Sequence, residues 1–396
     1  MRIAIFSDNF YPELSGITDS ILRTGKELAR RGHRIAFFAP RYSPANYAAL
    51  NLPYKEIDLG ANISIHRFAS LPYPTGTGQG RVVVPLGFRA LRVRAFNPDV
   101  IHVHLPLGIG LEGLLAAQML RRPLVGTNHT PTAEFMHYTP FSGESARRRA
   151  IQYVTWFYNR PQFVSAPSKS IFREMRPYGF RASHAVISNP LDTKLFLPLR
   201  KRIAMKRKFG LSGFTLLYAG RLAPEKHIDA IIHAVAFLKE ELPDVSLAIA
   251  GNGMARQSLE TLARERGVAD RVKFLGFLPE EQLVAAYNAA DAFVMMSTAE
   301  TQSIAMMHAM LVELPVVAAR AWGLEEYVNE RNGFLIPPGD IRALTEKIKE
   351  LYKRPGLRSA LGKNGRSFAI QFSPAVIADR WETIYENART VYNQKV

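Results

Sequence analysis

Short apolar runs alternate with amphipathic stretches along the whole chain, and this rhythm limits the fold more than any other feature. Residues 3–6 form an apolar run, and residues 18–31 (TDSILRTGKELARR) carry apolar side chains at helical spacing. Gly32-His33 closes that helix and residues 34–39 read as the next strand. Strands follow at 100–103, 124–127 and 163–166, with helices at 111–120 and 147–158 between them. The alternation restarts after the charged run Arg200-Lys201-Arg202, with strands at 215–218, 246–250, 272–275, 292–296 and 316–318. Helices at 255–266, 280–289 and 304–311 separate those strands, and residues 374–392 read as a last helix. Such a strand–helix rhythm implies parallel sheets with right-handed crossovers. A chain of 396 residues also exceeds one core. The expected fold class is therefore α/β, with domains at 1–200 and 201–373 and the helix at 374–396 crossing back to the first.

Composition removes several kinds of chemistry. There are no cysteines, which excludes disulfides, thiolate zinc sites and a cysteine nucleophile. No Asp-x-Asp occurs, so a catalytic divalent metal is not implied. The opening MRIAIFSDNF is interrupted by Asp8 too early for a signal peptide, and the longest apolar stretch, residues 105–120, contains Glu112 and three glycines. The expectation is a cytoplasmic protein with no membrane span. Net charge is +17, carried almost entirely by residues 1–205, which hold 27 Lys and Arg against 12 Asp and Glu. A field this one-sided suggests an extended anionic partner, either an acidic membrane surface or nucleic acid.

The chemistry concentrates in two segments of the second half. Residues 214–234 read FTLLYAGRLAPEKHIDAIIHA, an apolar run ending at Ala219-Gly220, then Arg221 and Lys226, then helical spacing. A strand, a short loop and a helix in that order set backbone N–H groups at the carboxyl edge of a parallel sheet. Two cations on that loop suffice to neutralise a diphosphate. The alternative reading is an ordinary junction with two solvated charges. In the second segment, residues 290–318, Glu300 follows the loop residues Ser297 and Thr298 and precedes a helix that Ser303 is suited to cap. Glu300 there either accepts hydrogen bonds from sugar hydroxyls or simply complements a helix dipole.

Taken together these segments resemble the C-terminal domain of family 4 retaining glycosyltransferases with the GT-B fold. That family's pattern runs Gly-Arg…Glu-Lys-Gly, then Glu-x7-Glu opening a helix, then Gly-x-Pro-Val-Val-Ala. The corresponding residues are Gly220-Arg221…Glu225-Lys226-His227, Glu300…His308, and Glu313-Leu314-Pro315-Val316-Val317-Ala318. In the first half, Pro12-Glu13-Leu14-Ser15-Gly16-Ile17 is similar to the family's Gly-Gly phosphate loop. Arg31-Gly32-His33 and Asp99-Val100-Ile101-His102-Val103-His104 match two further landmarks, as do Ala166-Pro167-Ser168 and residues 187–192. The resemblance covers essentially the whole chain. It implies two Rossmann-like domains facing a central cleft, the first taking the acceptor and the second a nucleotide-sugar donor.

By the same resemblance, Arg221 and Lys226 stabilise the departing diphosphate with help from Gly16 amides, while Glu300 and His129 orient the sugar. Gly220, Gln302, Ser303, Ile304 and His308 complete the implied donor-binding set. Relatives that make glycolipids, diacylglycerol glucosyltransferases in particular, share the flavour of Glu300-Thr301-Gln302, of Asn128-His129-Thr130-Pro131 and of residues 153–160. The physical pattern agrees: Arg89, Arg92 and Arg94 are interleaved with Leu86, Phe88, Leu91 and Phe96 over residues 85–96, a helix suited to an anionic interface. Arg147, Arg148 and Arg149 beside Tyr153, Trp156 and Phe157 extend it.

The implied reaction moves a hexose, glucose from UDP-glucose, to a lipid hydroxyl with retention, at the inner face of the cell membrane and with no cofactor beyond the donor. GDP-mannose with a polyprenyl-linked or soluble glycan acceptor remains open, as does epimerisation of a sugar nucleotide. A nucleic-acid binder is the non-enzymatic rival, and no RNA or DNA motif supports it. The chain departs from the family pattern at five positions. His308 stands for the second glutamate, which in the family holds ribose hydroxyls. Ser15, His227, Ser303 and Glu313 each stand where the family has glycine.

Overall fold

The computed structural model describes residues 1–394 except 14, 74–78, 88, 133–142 and 200. Leu14, Phe88 and Arg200, which the sequence reading used, lie outside the described residues. The chain forms two compact units, Met1–Pro190 with Pro374–Val396, and Leu191–Ser373. Leu191 and Phe196 already belong to the second unit's core, so the chain changes units before the charged run at 200 rather than at it.

The first unit is built on a seven-stranded parallel sheet. Its strands are β1 (Arg2–Ser7), β2 (Arg34–Pro40), β3 (Ile63–Phe68), β4 (Val100–His104), β5 (Leu124–Thr127), β6 (Phe163–Ala166) and β7 (His184–Val186), in the spatial order β3-β2-β1-β4-β5-β6-β7. A central strand such as β1 reads as a near-continuous apolar run because helices cover both faces. The edge strands β3 and β7 mix in Ser, His and Arg, which is why a search for apolar runs passes over them. Helices of this unit include α1 (Gly16–Arg30), α2 (Ala90–Phe96), α3 (Gly108–Leu120), α4 (Glu144–Tyr158) and α5 (Lys169–Met175), besides a short one at Pro44–Ala48.

The second unit repeats the plan with six parallel strands. These are β8 (Phe214–Ala219), β9 (Val245–Ala250), β10 (Val272–Gly276), β11 (Ala292–Met295), β12 (Val316–Ala319) and β13 (Gly333–Ile336), ordered β10-β9-β8-β11-β12-β13. Helices α6 (Arg202–Lys208), α7 (Ile228–Leu238), α8 (Arg256–Glu265), α9 (Glu280–Ala289), α10 (Ile304–Leu311), α11 (Ile341–Lys353) and α12 (Pro355–Ala369) enclose a core running from Leu216 and Ile249 to Val317 and Ile348.

The last helix, α13 (Pro374–Asn393), rejoins the first unit. The Arg-Gly-His turn after α1 is its clamp. Arg31 donates to Asp379 at 2.6 Å, to Glu382 at 2.7 Å and to the Ala375 carbonyl at 2.7 Å, and His33 Nε2 meets Glu382 at 2.7 Å. Trp381 and Tyr385, both buried, lie against the His102 ring of β4. Among the described residues no helix is long and apolar enough to cross a membrane.

Candidate functional site

The second unit brings three of the four expected catalytic residues to one place. β8 and β11 are neighbours in the sheet, so the loops leaving their carboxyl ends run side by side. Lys226, from the first loop, donates to Glu300 Oε1 of the second at 2.7 Å, and both side chains are largely buried. Arg221 donates to Glu225 Oε1 at 2.8 Å on the same loop. Two further bonds close the loops on each other: Thr298 N–H donates to the Glu225 carbonyl at 3.2 Å, and Thr298 Oγ1 meets His227 Nε2 at 3.2 Å. The Tyr218 hydroxyl, kept protonated because burial pushes its pKa well up, donates to the Arg221 carbonyl at 2.9 Å. The result is a pair of cations on a tightly tied backbone, each already facing a carboxylate.

Two of the four substitutions for glycine fall where glycine would be least strained, and the other two are helix caps. His227 and Glu313 hold left-handed backbone, with φ of 46° and 64°. Ser303 caps α10 by accepting from Met306 N–H at 3.2 Å, and Ser15 caps α1 from Thr18 N–H at 3.2 Å, with Gly16 the first residue of that helix. Gln302 is buried beside Ser303, and Ile304 opens α10. His308 lies further along α10, where its ring stacks on Phe196 at 3.6 Å and meets Tyr287 edge-on. It is a buried packing group as much as a polar one.

Sequence reading passed over the glycines that let these loops approach. A Cβ on Gly251 would sit 1.9 Å from the Gly220 carbonyl oxygen, and one on Gly323 1.8 Å from that of Thr301. The Gly323 N–H also donates to the Glu300 carbonyl at 2.8 Å. The available signal was Gly251-Asn252-Gly253 directly after the apolar run of β9.

In the first unit His129 follows β5 and is buried. Its Nε2 lies 2.8 Å from Nδ1 of His104, and His104 packs on His102 with ring centroids 4.0 Å apart. Burial pushes His102 and His129 down to about 3 and His104 well below its usual range, so all three rings are neutral at physiological pH. Neutral imidazoles each offer one donor and one acceptor, which suits hydroxyl partners.

The basic residues assigned to an anionic surface divide. Arg89 is a correction. Its guanidinium meets the buried Glu112 carboxylate at 2.9 Å and lies over the Phe68 ring, so it neutralises a buried charge and does not face outward. The helix expected over 85–96 spans only Ala90–Phe96, because Gly87 takes a left-handed turn before it. Arg92 and Arg94 are exposed there, beside an exposed Leu91. On α4, Arg147, Arg148 and Arg149 are exposed, as are Tyr153 and Trp156, which stack at 5.9 Å with Arg160 over Trp156 at 4.6 Å. Phe157 instead points into the core.

Two family profiles cover most of the chain: "Glycosyltransferase Family 4" matches residues 14–195 and "Glycosyl transferases group 1" matches 201–368. A GDP-mannose-dependent alpha-mannosyltransferase of Mycolicibacterium smegmatis is 30% identical over 85% of this chain and 84% of its own. An alpha-monoglucosyldiacylglycerol synthase of Acholeplasma laidlawii is 24% identical over 100% of this chain and 99% of its own. Among solved structures, Anabaena HepE in complex with UDP superposes with a TM-score of 0.77 over 98% of this chain and 100% of its own, at 22% identity. The paired loops of the second unit, the doubled α/β plan and these relationships agree: the chain is a glycosyltransferase with the GT-B fold and belongs to glycosyltransferase family 4.

Proposed function

We propose that this protein is a retaining hexosyltransferase that moves glucose from UDP-glucose to a lipid hydroxyl, such as that of diacylglycerol, without a metal ion. The observation that carries this reading is the tied pair of loops in the second unit, with Arg221 and Lys226 held five residues apart beside Glu225 and Glu300. Fixed positive charge of this kind stabilises a departing diphosphate with little reorganisation, since the cations are already oriented when the bond breaks. Glu300, held by Lys226, is suited to accept from sugar hydroxyls, and neutral His129 to make one directional bond to a hydroxyl. Gly220, Gln302, Ser303, Ile304 and His308 line this reading's donor side, and Gly16 lends helix-terminal amides on α1.

The lipid acceptor is supported by the glucosyldiacylglycerol synthase relative, which matches from end to end. The exposed aromatic and basic face of α4 adds to it, since exposed arginines beside tyrosine and tryptophan suit an anionic membrane interface. On this reading the protein works as a peripheral enzyme on the cytoplasmic membrane face, with nucleotide sugar and lipid as its partners and no role for nucleic acid.

A second reading has its own support: GDP-mannose as donor, favoured by the mannosyltransferase relative at 30% identity. One experiment separates the two. The full chain is incubated with labelled UDP-glucose, UDP-galactose or GDP-mannose and extracted lipids, and products are resolved by thin-layer chromatography. A labelled lipid from UDP-glucose alone supports the first reading; one from GDP-mannose alone replaces it with the second. Label appearing only in water-soluble products removes the lipid acceptor.

A further inference from the structure

A connected polar cluster away from the two cationic loops lies under α13 in the first unit. His102 Nε2 is 2.7 Å from Thr127 Oγ1, which is 2.7 Å from Ser165 Oγ, and His102 Nδ1 is 2.9 Å from the Tyr385 hydroxyl. His104 Nδ1 is 2.8 Å from His129 Nε2, with the two rings nearly parallel at 17°. A cavity with room for about one water molecule opens among them, with Ser20, Thr24, Ser188 and Asn189 in its wall. Three buried imidazoles are a costly way to fill space that leucine would fill, unless each polar atom has a defined partner.

A neutral imidazole donates at one nitrogen and accepts at the other. A hydrogen bond between two neutral imidazoles therefore has one donor ring, and choosing it for one ring decides it for both. Because Nε2 of His129 is engaged by His104, Nδ1 of His129 must take the opposite role. His102, held from α13 by Tyr385 and Trp381, backs the His104 ring.

We propose that His104 is a positioning residue: through its bond to Nε2 it fixes the tautomer and ring plane of His129, and so decides whether Nδ1 of His129 donates to or accepts from a sugar hydroxyl. This rests on reading His129 as the residue that orients the transferred sugar. His104 itself touches neither sugar nor diphosphate.

The test uses the full chain labelled with nitrogen-15 histidine. A nitrogen–nitrogen coupling across the His104–His129 hydrogen bond is expected, with a single tautomer of His129 between about pH 6 and 8. No coupling, or a mixture of tautomers, overturns the proposal. In kinetics, His104→Leu fills the space without a polar atom and should lower nucleotide-sugar turnover about 10²-fold, the scale of a misplaced active-site group. His104→Asn restores a polar atom near Nδ1 and should stay within about tenfold of the parent by the same scale. Both should bind UDP and GDP as the parent does. Parental turnover in His104→Leu overturns the proposal, and so do equal losses in both variants that track lost thermal stability. Absence of any turnover by the parent on all donors would instead remove the transferase reading, and the coupling measurement would still decide the role of His104.

Discussion

Lys226 and Glu300, seventy-four residues apart in sequence, meet at 2.7 Å with both side chains mostly withdrawn from water. The contact joins the loop after β8 to the loop after β11, and it fixes the carboxylate through a cation that is itself anchored on a short turn, Pro224–Lys226. A phosphate arriving at this ammonium would share it with Glu300, and on the proposed reading donor binding and carboxylate orientation would be coupled through one group.

Arg221 is the more exposed of the two cations and pairs with a carboxylate on its own loop. Arg221→Ala should lower turnover by about 10²–10³-fold, the usual consequence of losing a preorganised charge donor. Initial rates at saturating donor check it. Unchanged turnover would remove the diphosphate assignment.

Glu313 carries a left-handed φ of 64° just after α10. A side chain there strains the backbone that glycine adopts without cost, so Glu313→Gly should stabilise the second unit by about 0.5–1 kcal/mol. Urea unfolding followed by a probe in that unit reads this directly. A destabilised variant would show that the Glu313 side chain contributes more than its backbone costs.

Asp8 gives the first unit a pH dependence. It is fully buried at the end of β1, and burial raises its pKa from 3.8 to about 7 although backbone N–H groups of Ile109, Gly110 and Leu107 favour its charged form. The folded state thus binds a proton that the unfolded chain releases near pH 4. The stabilisation is complete below that value and is lost as pH rises toward 7, at a slope of up to about 1.4 kcal/mol per pH unit. Stability of the parent at pH 5 should exceed that at pH 8 by more than it does in Asp8→Asn. Equal differences in the two proteins would show that Asp8 does not titrate in this window.

Arg31→Ala should loosen the start of α13. It deletes two carboxylate contacts and a carbonyl contact to α13, and a bond to Glu27 of α1, all made by a side chain that is mostly shielded, a loss of about 1–2 kcal/mol. Hydrogen exchange in the first turns of α13 should quicken by about tenfold or more while amides of the second unit keep their rates. Uniform acceleration in both units would contradict a local clamp.

Much of this arrangement was legible from the residues. The central strands announced themselves because parallel sheets covered on both faces need uninterrupted apolar runs, as in Phe214–Ala219. The cationic loop was legible because Gly220, Arg221 and Lys226 stand directly after such a run. Edge strand β3, reading ISIHRF, hid behind its polar members, and α12 behind its glycines. Arg89 was misread since its partner, Glu112, lies twenty-three residues away and only packing brings them together. The bond between His104 and His129 was invisible for a related reason: the end of β4 and the loop after neighbouring β5 supply the two rings, and no local spacing encodes strand order.

The discontinuity of the first unit has a consequence for how the protein is made. Ribosomes release residues 191–373, a continuous and self-contained segment, before α13 emerges. At roughly 5–20 residues per second, that interval lasts on the order of ten to forty seconds. During it the face of β4 bearing His102 lacks Trp381 and Tyr385 as its cover. The half of the molecule translated first is therefore the half completed last, and newly made chains depend on that wait passing without capture by other exposed surfaces.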